Sequence, residues 1–184
     1  MRVIAGERKG LRLKAPKGRT TRPTTDQVRT ACLDSLTPWL INARFLDLFA
    51  GAGAVGIEAL SRGAEGAVFV ESDRRAVNAL RENLKSLGLT GRGRIFSCAV
   101  RRAIHELKRS GEHFSVIFLD PPYETLLAFQ TLGELADGAL LAPSGAVVVQ
   151  HRTKSALPER LGALEQWKAR RFGETTLTFF RRVE

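Results

Sequence analysis

Two cysteines, three histidines and a single tyrosine in 184 residues leave little material for several kinds of chemistry. Cys32 and Cys98 each sit inside an apolar pattern, and no cysteine or histidine pair has metal-ligand spacing, so neither structural disulfides nor a metal site is expected. No apolar run is long enough to span a bilayer, and Met1-Arg2-Val3-Ile4 leads into charge rather than a secretory core. The expectation is a cytoplasmic protein, monomeric and not bound to a membrane. His105 and His113 lie in polar company and read as surface residues, His151 ends an apolar run, and none has a triad partner in view. Trp39 and Trp167 read as packing residues. Internal repeats and low-complexity segments are absent, and 43% hydrophobic content over this length provides one core of ordinary domain size.

Acidic residues are also scarce, 19 against 29 bases, which gives a net charge of +10. Residues 1–29 hold nine bases against Glu7 and Asp26, so +7 lies in this arm and +3 in the other 155 residues. A soluble, arginine-rich surface would explain basicity alone; its concentration in one terminal segment points instead to nucleic acid. Arg2–Gly6 and Leu11–Ala15 alternate apolar and basic residues around Glu7-Arg8-Lys9-Gly10, which predicts a small hairpin with one solvated, positive face. Pro16 to Pro23 reads as a basic loop. The chain therefore divides into a basic hairpin and loop, residues 1–24, and a main domain, residues 25–184.

The centre of that domain is Phe45–Leu60, FLDLFAGAGAVGIEAL. Arg44 to Leu48 has the apolar content of a buried strand, Gly51, Gly53 and Gly56 punctuate a turn, and Val55, Ile57, Ala59 and Leu60 resume at helical spacing. The Gly-x-Gly-x-x-Gly spacing matches a nucleotide-binding fingerprint, and Glu71, twenty residues after Gly51, ends the next apolar strand where a ribose-binding acid belongs. A plain turn is the bland alternative; strand, glycines, helix and distal acid together favour a nucleoside site, with the nucleoside itself still open.

Around this centre strands and helices alternate. Thr24 and Gln27 have capping-box spacing ahead of a helix to about Leu36, with Val28, Cys32, Ser35, Leu36 and Trp39 inward and Arg29 outward or toward the glycine loop. Strands are predicted at Ala67–Glu71, Arg94–Cys98, Phe114–Leu119 and Ala146–Gln150, the last after a Pro143-Ser144-Gly145 turn. Intervening helices are predicted from the Asp73 cap to Gly88, over Val100–Lys108, and after the fourth strand through roughly Asp137. Gln166–Arg171 and Thr175–Arg181 read as a terminal antiparallel hairpin. Such alternation implies a mostly parallel sheet covered on both faces, with ligands at the carboxyl ends of its strands.

The fourth strand ends in Asp120-Pro121-Pro122-Tyr123, which sets a carboxylate, an acceptor-rich rigid backbone and an aromatic ring at that ligand edge. An exocyclic amino group held between Asp120 and a neighbouring carbonyl would point its nitrogen lone pair at an electrophile, with Tyr123 stacked on the base. By itself the motif could be a proline turn; the glycine loop makes it chemistry.

FLDLFAGAGAVGIEAL, VFVESD and DPPY, in that order, resemble class I S-adenosylmethionine (SAM) methyltransferases that act on amino groups of bases. MRVIAGERKGLRLKAP followed by TRPTTDQVRTACLDSL is similar to the bacterial 16S rRNA guanine-N2 methyltransferases of the small ribosomal subunit, and the likeness covers essentially the whole chain. It implies a Rossmann-like, seven-stranded, mostly parallel sheet with a C-terminal antiparallel hairpin, and SAM held by Asp47, Phe49, Ala50, Gly51, Gly53, Glu71, Ser72, Ala99 and Val100. Asp120, Pro121, Pro122 and Tyr123 would form the catalytic motif, and Arg8, Lys9, Arg12, Lys14, Arg19 and Arg22 would contact 16S rRNA. Two departures stand out: Ala99 replaces the family's acid or amide after the third strand, and the helix after TRPTTDQVR lacks the usual Glu and Phe.

The expected reaction is direct methyl transfer to a guanine N2 of small-subunit rRNA. Rival readings are an amino-methyltransferase for DNA or another rRNA base, a nucleotide-dependent oxidoreductase, which leaves DPPY unexplained, and a non-catalytic RNA-binding or assembly protein.

Overall fold

A computed structural model describes residues 1–16, 25–122 and 125–183. Its frame is an eight-stranded sheet: β1 (Arg44–Asp47), β2 (Gly66–Val70), β3 (Gly93–Phe96), β4 (Phe114–Leu119), β5 (Leu141–Arg152), β6 (Arg160–Leu161), β7 (Leu164–Phe172) and β8 (Thr175–Arg182), in the order β3-β2-β1-β4-β5-β8-β7-β6. The first five are parallel, Leu46 pairing with Val68 on one side and Ile117 on the other. β8 runs antiparallel between β5 and β7, Val148 opposite Phe179. Strand order reverses between β1 and β4, the switch point at which open α/β sheets bind ligands.

Alternation along the strands divides the core. Phe45, Phe69, Phe118, Val148 and Phe179 face one side, under α1 (Asp26–Ser35), α2 (Thr37–Leu40), α3 (Ala54–Ser61) and α4 (Arg74–Ser86). Leu46, Val70, Ile117, Val149 and Phe180 face the other, under α5 (Val100–Arg109) and α6 (Thr125–Glu134). The α4 stripe of Ala76, Val77, Leu80, Leu84 and Leu87 is buried, and Asp73 caps that helix by accepting from the Arg75 and Ala76 N–H groups.

Several sequence expectations are corrected. The sheet has eight strands rather than seven, because Arg160–Leu161 forms a short edge against Leu164–Glu165. Pro143-Ser144-Gly145 is not a turn before β5 but a bulge within it, between the Phe114–Leu141 and Val116–Ala146 pairs. A Cβ at Gly145 would stand 2.9 Å from the Ser115 carbonyl oxygen, so glycine permits this close approach. Thr25 is the N-cap of α1, accepting from Val28 N–H; Thr24 lies outside the described residues. Arg29 points neither outward nor to the glycine loop: it is fully buried, donating to the Arg2 carbonyl and to Asp26, with Nε 3.9 Å from Glu58.

The N-terminal segment forms a hairpin in which Arg2 stands opposite Arg12 and the Val3, Gly10 and Leu13 N–H groups donate to the Leu11, Val3 and Met1 carbonyls, with Val3 and Leu13 inserted in the same core cluster as the α1–α4 face. Its other side is solvated, Arg2, Lys9, Arg12 and Lys14 being exposed. Buried Glu58 accepts from the Ile4 and Ala5 N–H groups, both at 2.8 Å, and so pins this hairpin to α3. Among the described residues no helix is long and apolar enough to cross a membrane.

Candidate cofactor and methyl-transfer site

The carboxyl ends of β2, β1 and β4 bring Glu71, Asp47 and Asp120 to one edge of the sheet. The glycine loop crosses that edge between β1 and α3. Backbone bonds from Leu48 N–H to the Phe118 carbonyl and from Ala50 N–H to that of Val70, both 3.0 Å, stitch it to both neighbouring strands. Gly51 and Gly53 adopt φ of +55° and +87°, and a Cβ on Gly53 would lie 2.3 Å from Leu80 Cδ1. No atom lies within 4 Å of the corresponding Cβ position at Gly51, so the loop surface is open there to a ligand.

Glu71 is fixed by three backbone N–H groups: Gly51 donates to Oε2 at 2.9 Å, and Ser72 and Asp73 donate to Oε1 at 2.8 Å. Asp47 is 1% exposed. Its Oδ2 accepts from Gly56 N–H at 3.1 Å, whereas Oδ1 is buried without a hydrogen-bond partner among the described residues. Burial pushes the Asp47 carboxyl up to about 7, the Gly56 N–H and the nearby Phe49 N–H oppose that rise, and the Asp120 and Glu71 charges add to it. Three carboxylates converging on an open glycine loop, one with an orphaned oxygen, suit a ligand that brings positive charge and N–H or O–H donors. SAM fits this description: it has a sulfonium, an α-amino group and a ribose diol.

Asp120 is half-buried, Pro121 buried and Pro122 exposed, so the motif turns from the core to the surface within three residues. Tyr123, Arg19 and Arg22 lie outside the described residues. Cys32, on α1, sits close enough to feel both acids: burial first, then Asp120 and Asp47, push its thiol upward, so it stays protonated. Phe49 is half-buried beside Asp47, and Ser72 is exposed next to Glu71. Ala99 is the exposed N-cap residue of α5 and Val100 its first residue; Phe96, Cys98 and Val100 pack against the core on the α5–α6 face.

Sequence reasoning missed Asn83. Fully buried on α4, its carboxamide donates to the Ala52 carbonyl of the glycine loop at 2.9 Å and to the Lys14 carbonyl at 3.0 Å, and accepts from Lys14 N–H at 2.8 Å. The signal was an amide within the apolar stripe of a helix, a position that demands buried partners. Of the arm's cations, Arg8 turns inward to donate to the Leu87 carbonyl, Lys14 pairs with Glu82, and Lys9 and Arg12 are exposed.

Fold and site together define a class I SAM-dependent methyltransferase. Residues 1–181 match the family described as "Conserved hypothetical protein 95", and the chain belongs to that family. It is 38% identical over 182 residues to "Putative rRNA methyltransferase YlbH" of Bacillus subtilis, covering 99% of both chains. It is 36% identical over 158 residues to the ribosomal RNA small subunit methyltransferase D of Escherichia coli, covering 86% of this chain and 78% of that one. The solved structure titled "Putative methyltransferase yhhF from Escherichia coli" superposes with a TM-score of 0.87 at 32% identity, over 99% of this chain and 97% of that chain.

Proposed function

We propose that this protein transfers a methyl group from SAM to the exocyclic N2 of a guanine in small-subunit rRNA. The observation that carries this reading is Asp120-Pro121-Pro122 at the end of β4, beside the strand end that holds Asp47. The named rRNA methyltransferases among the relatives support the substrate class.

In this reading Glu71 binds the ribose hydroxyls and Asp47 the amino end of the cofactor. Phe49, Ala50, Gly51, Gly53 and Ser72 shape the cradle, and the backbone at Ala99 and Val100 borders the adenine. When bound, SAM supplies an electrophilic methyl carbon on a positively charged sulfur. Asp120 accepts a hydrogen bond from the guanine amine while the Pro121 region, which lacks N–H donors, presents carbonyl acceptors. Held this way, the amine nitrogen loses conjugation with the ring and aims its lone pair into the cofactor site, so that orientation provides much of the rate. The amine proton leaves to Asp120 or to water. Tyr123 stacks on a base that has been splayed out of the RNA. The basic segment 1–24, through Lys9, Arg12 and Lys14 together with Arg8, Arg19 and Arg22, supplies phosphate contacts. The same reading makes the protein a cytoplasmic monomer that needs no metal. Label transfer from radioactive SAM to small subunits lacking the modification, followed by nucleoside identification, tests it: N2-methylguanosine is expected, and label in another base or in DNA alone would refute it.

A further inference from the structure

The net charge divides in a way that the arm alone does not explain. Residues 30–151, which include the sheet edge with its three acids, carry 12 bases and 13 acids, whereas residues 152–184 carry eight bases and four acids. Positive charge is thus concentrated at both ends of the chain. Of the C-terminal bases, Lys168 and Arg170 reach Ser35 and Ala31 on α1 and Arg181 pairs with Glu165, whereas Arg152 and Lys154 lie on the β5 flank of Asp120. Along the carboxyl edge the order is Glu71 after β2, Asp47 in β1, Asp120 after β4, then His151 and Arg152 in β5. Lys14 is held by Asn83 of α4, whose carboxamide also donates to Ala52 of the glycine loop, and this is the Glu71 and Asp47 flank.

On the β5 flank a cleft of about 420 Å³ opens directly from the proline motif, with Pro122, Phe129, His151, Arg152 and Lys154 on its walls. Arg152 and Lys154 are exposed, and Phe129 on α6 is 47% exposed although its ring is apolar. His151 is buried and anchors the wall: Nδ1 faces the Arg152 carbonyl at 2.9 Å, so it carries the proton, and Nε2 accepts from the Thr178 hydroxyl at 2.7 Å. Burial holds His151 below its ordinary range, in keeping with a neutral ring that fixes the backbone under Arg152.

An open cleft combining cations with an exposed aromatic ring has the composition of a single-strand nucleic-acid groove, cations tracking phosphates and the ring stacking on a base. We infer that the β5 cleft is a second RNA-binding surface, which grips the strand leading away from the target guanine while the N-terminal arm holds RNA on the cofactor flank. Gripping the backbone on both sides of Asp120 is what splaying out a single base between them requires. This inference rests on the proposed rRNA substrate.

The test uses the full chain, with Arg152→Gln combined with Lys154→Gln in one variant and Phe129→Ala in another. Each is titrated with an unmodified small-subunit rRNA transcript over a salt series, and with S-adenosylhomocysteine by calorimetry. The double variant should lower the log–log salt slope of RNA binding by roughly 0.7–0.9 per phosphate that is no longer neutralised. Phe129→Ala should weaken RNA binding by roughly fivefold or more with the slope unchanged. Cofactor-product affinity should equal wild type in both. Unchanged RNA slope and affinity would overturn the inference. So would defects confined to protein-bearing small subunits, with naked transcript bound normally, because the cleft would then meet a ribosomal protein. If the variants lose RNA affinity as expected but wild type methylates no rRNA, the cleft stands as an RNA site and the proposed reaction fails.

Discussion

The Asn83 carboxamide grips the backbone of Lys14 at both its N–H and its C=O, at 2.8 and 3.0 Å, and the same amide nitrogen also donates to Ala52 in the glycine loop. One buried side chain therefore fixes the basic arm and the cofactor loop to each other. Asn83→Ala leaves those backbone groups without their partner, at a cost of about 1–3 kcal/mol for each that stays buried. A lower melting temperature together with weaker SAM binding is the expected outcome, read by thermal denaturation with and without ligand.

Glu71→Ala removes the carboxylate proposed for the ribose diol, whose two oxygens are already oriented by the Gly51, Ser72 and Asp73 N–H groups. Loss of a charge-assisted hydrogen bond of this kind costs about 1.5–3 kcal/mol, or roughly tenfold or more in SAM affinity. Calorimetry measures it directly, and an unchanged dissociation constant would place the ribose elsewhere.

Asp47 gives the site a pH dependence. Burial raises its carboxyl to about 7 from an ordinary 3.8, so without ligand the folded state binds this proton more tightly than the unfolded chain does. Its contribution to stability is therefore greatest at low pH and is lost as pH rises through that interval. A cationic ligand favours the ionised form, so SAM affinity should rise as pH approaches 7 and binding should release a proton. Calorimetry in buffers of different ionisation enthalpy should register that proton in wild type and lose it in Asp47→Asn.

Much of this architecture is legible from residue pattern alone. The alternating elements, the glycine loop, Glu71 at a strand end and the Asp73 cap follow from local periodicity and turn chemistry, which need no knowledge of distant contacts. What escapes is long-range. The Pro143–Gly145 bulge depends on Ser115 across the sheet, Arg29 is buried because the Arg2 carbonyl and Glu58 lie behind it, and the two-residue strand β6 has too little length for any period. Asn83 and Glu58 belong to the same class: each is a polar residue in an apolar helix face whose partners include backbone groups of the N-terminal arm.

The exposed cations of the arm should govern RNA affinity and leave the cofactor alone. Replacing Lys9 and Arg12 with Gln should reduce the salt slope of RNA binding by roughly 0.7–0.9 for each phosphate left without its cation, with SAM binding unchanged. Arg8, engaged with the Leu87 carbonyl, should contribute more to melting temperature than to that slope.

Asp120 carries the central claim, that a carboxylate at the end of β4 grips the amine being methylated. Asp120→Asn keeps an acceptor but takes a proton poorly, so appreciable activity in it would assign the proton to solvent and leave Asp120 the task of positioning. The most direct measurement is the single-turnover rate of methyl transfer to unmodified small-subunit RNA by Asp120→Ala at saturating SAM. Near-complete loss of that rate, with RNA affinity retained through the basic arm, is the predicted result; a rate close to wild type would contradict the amine-gripping role and the assignment of this site to base methylation.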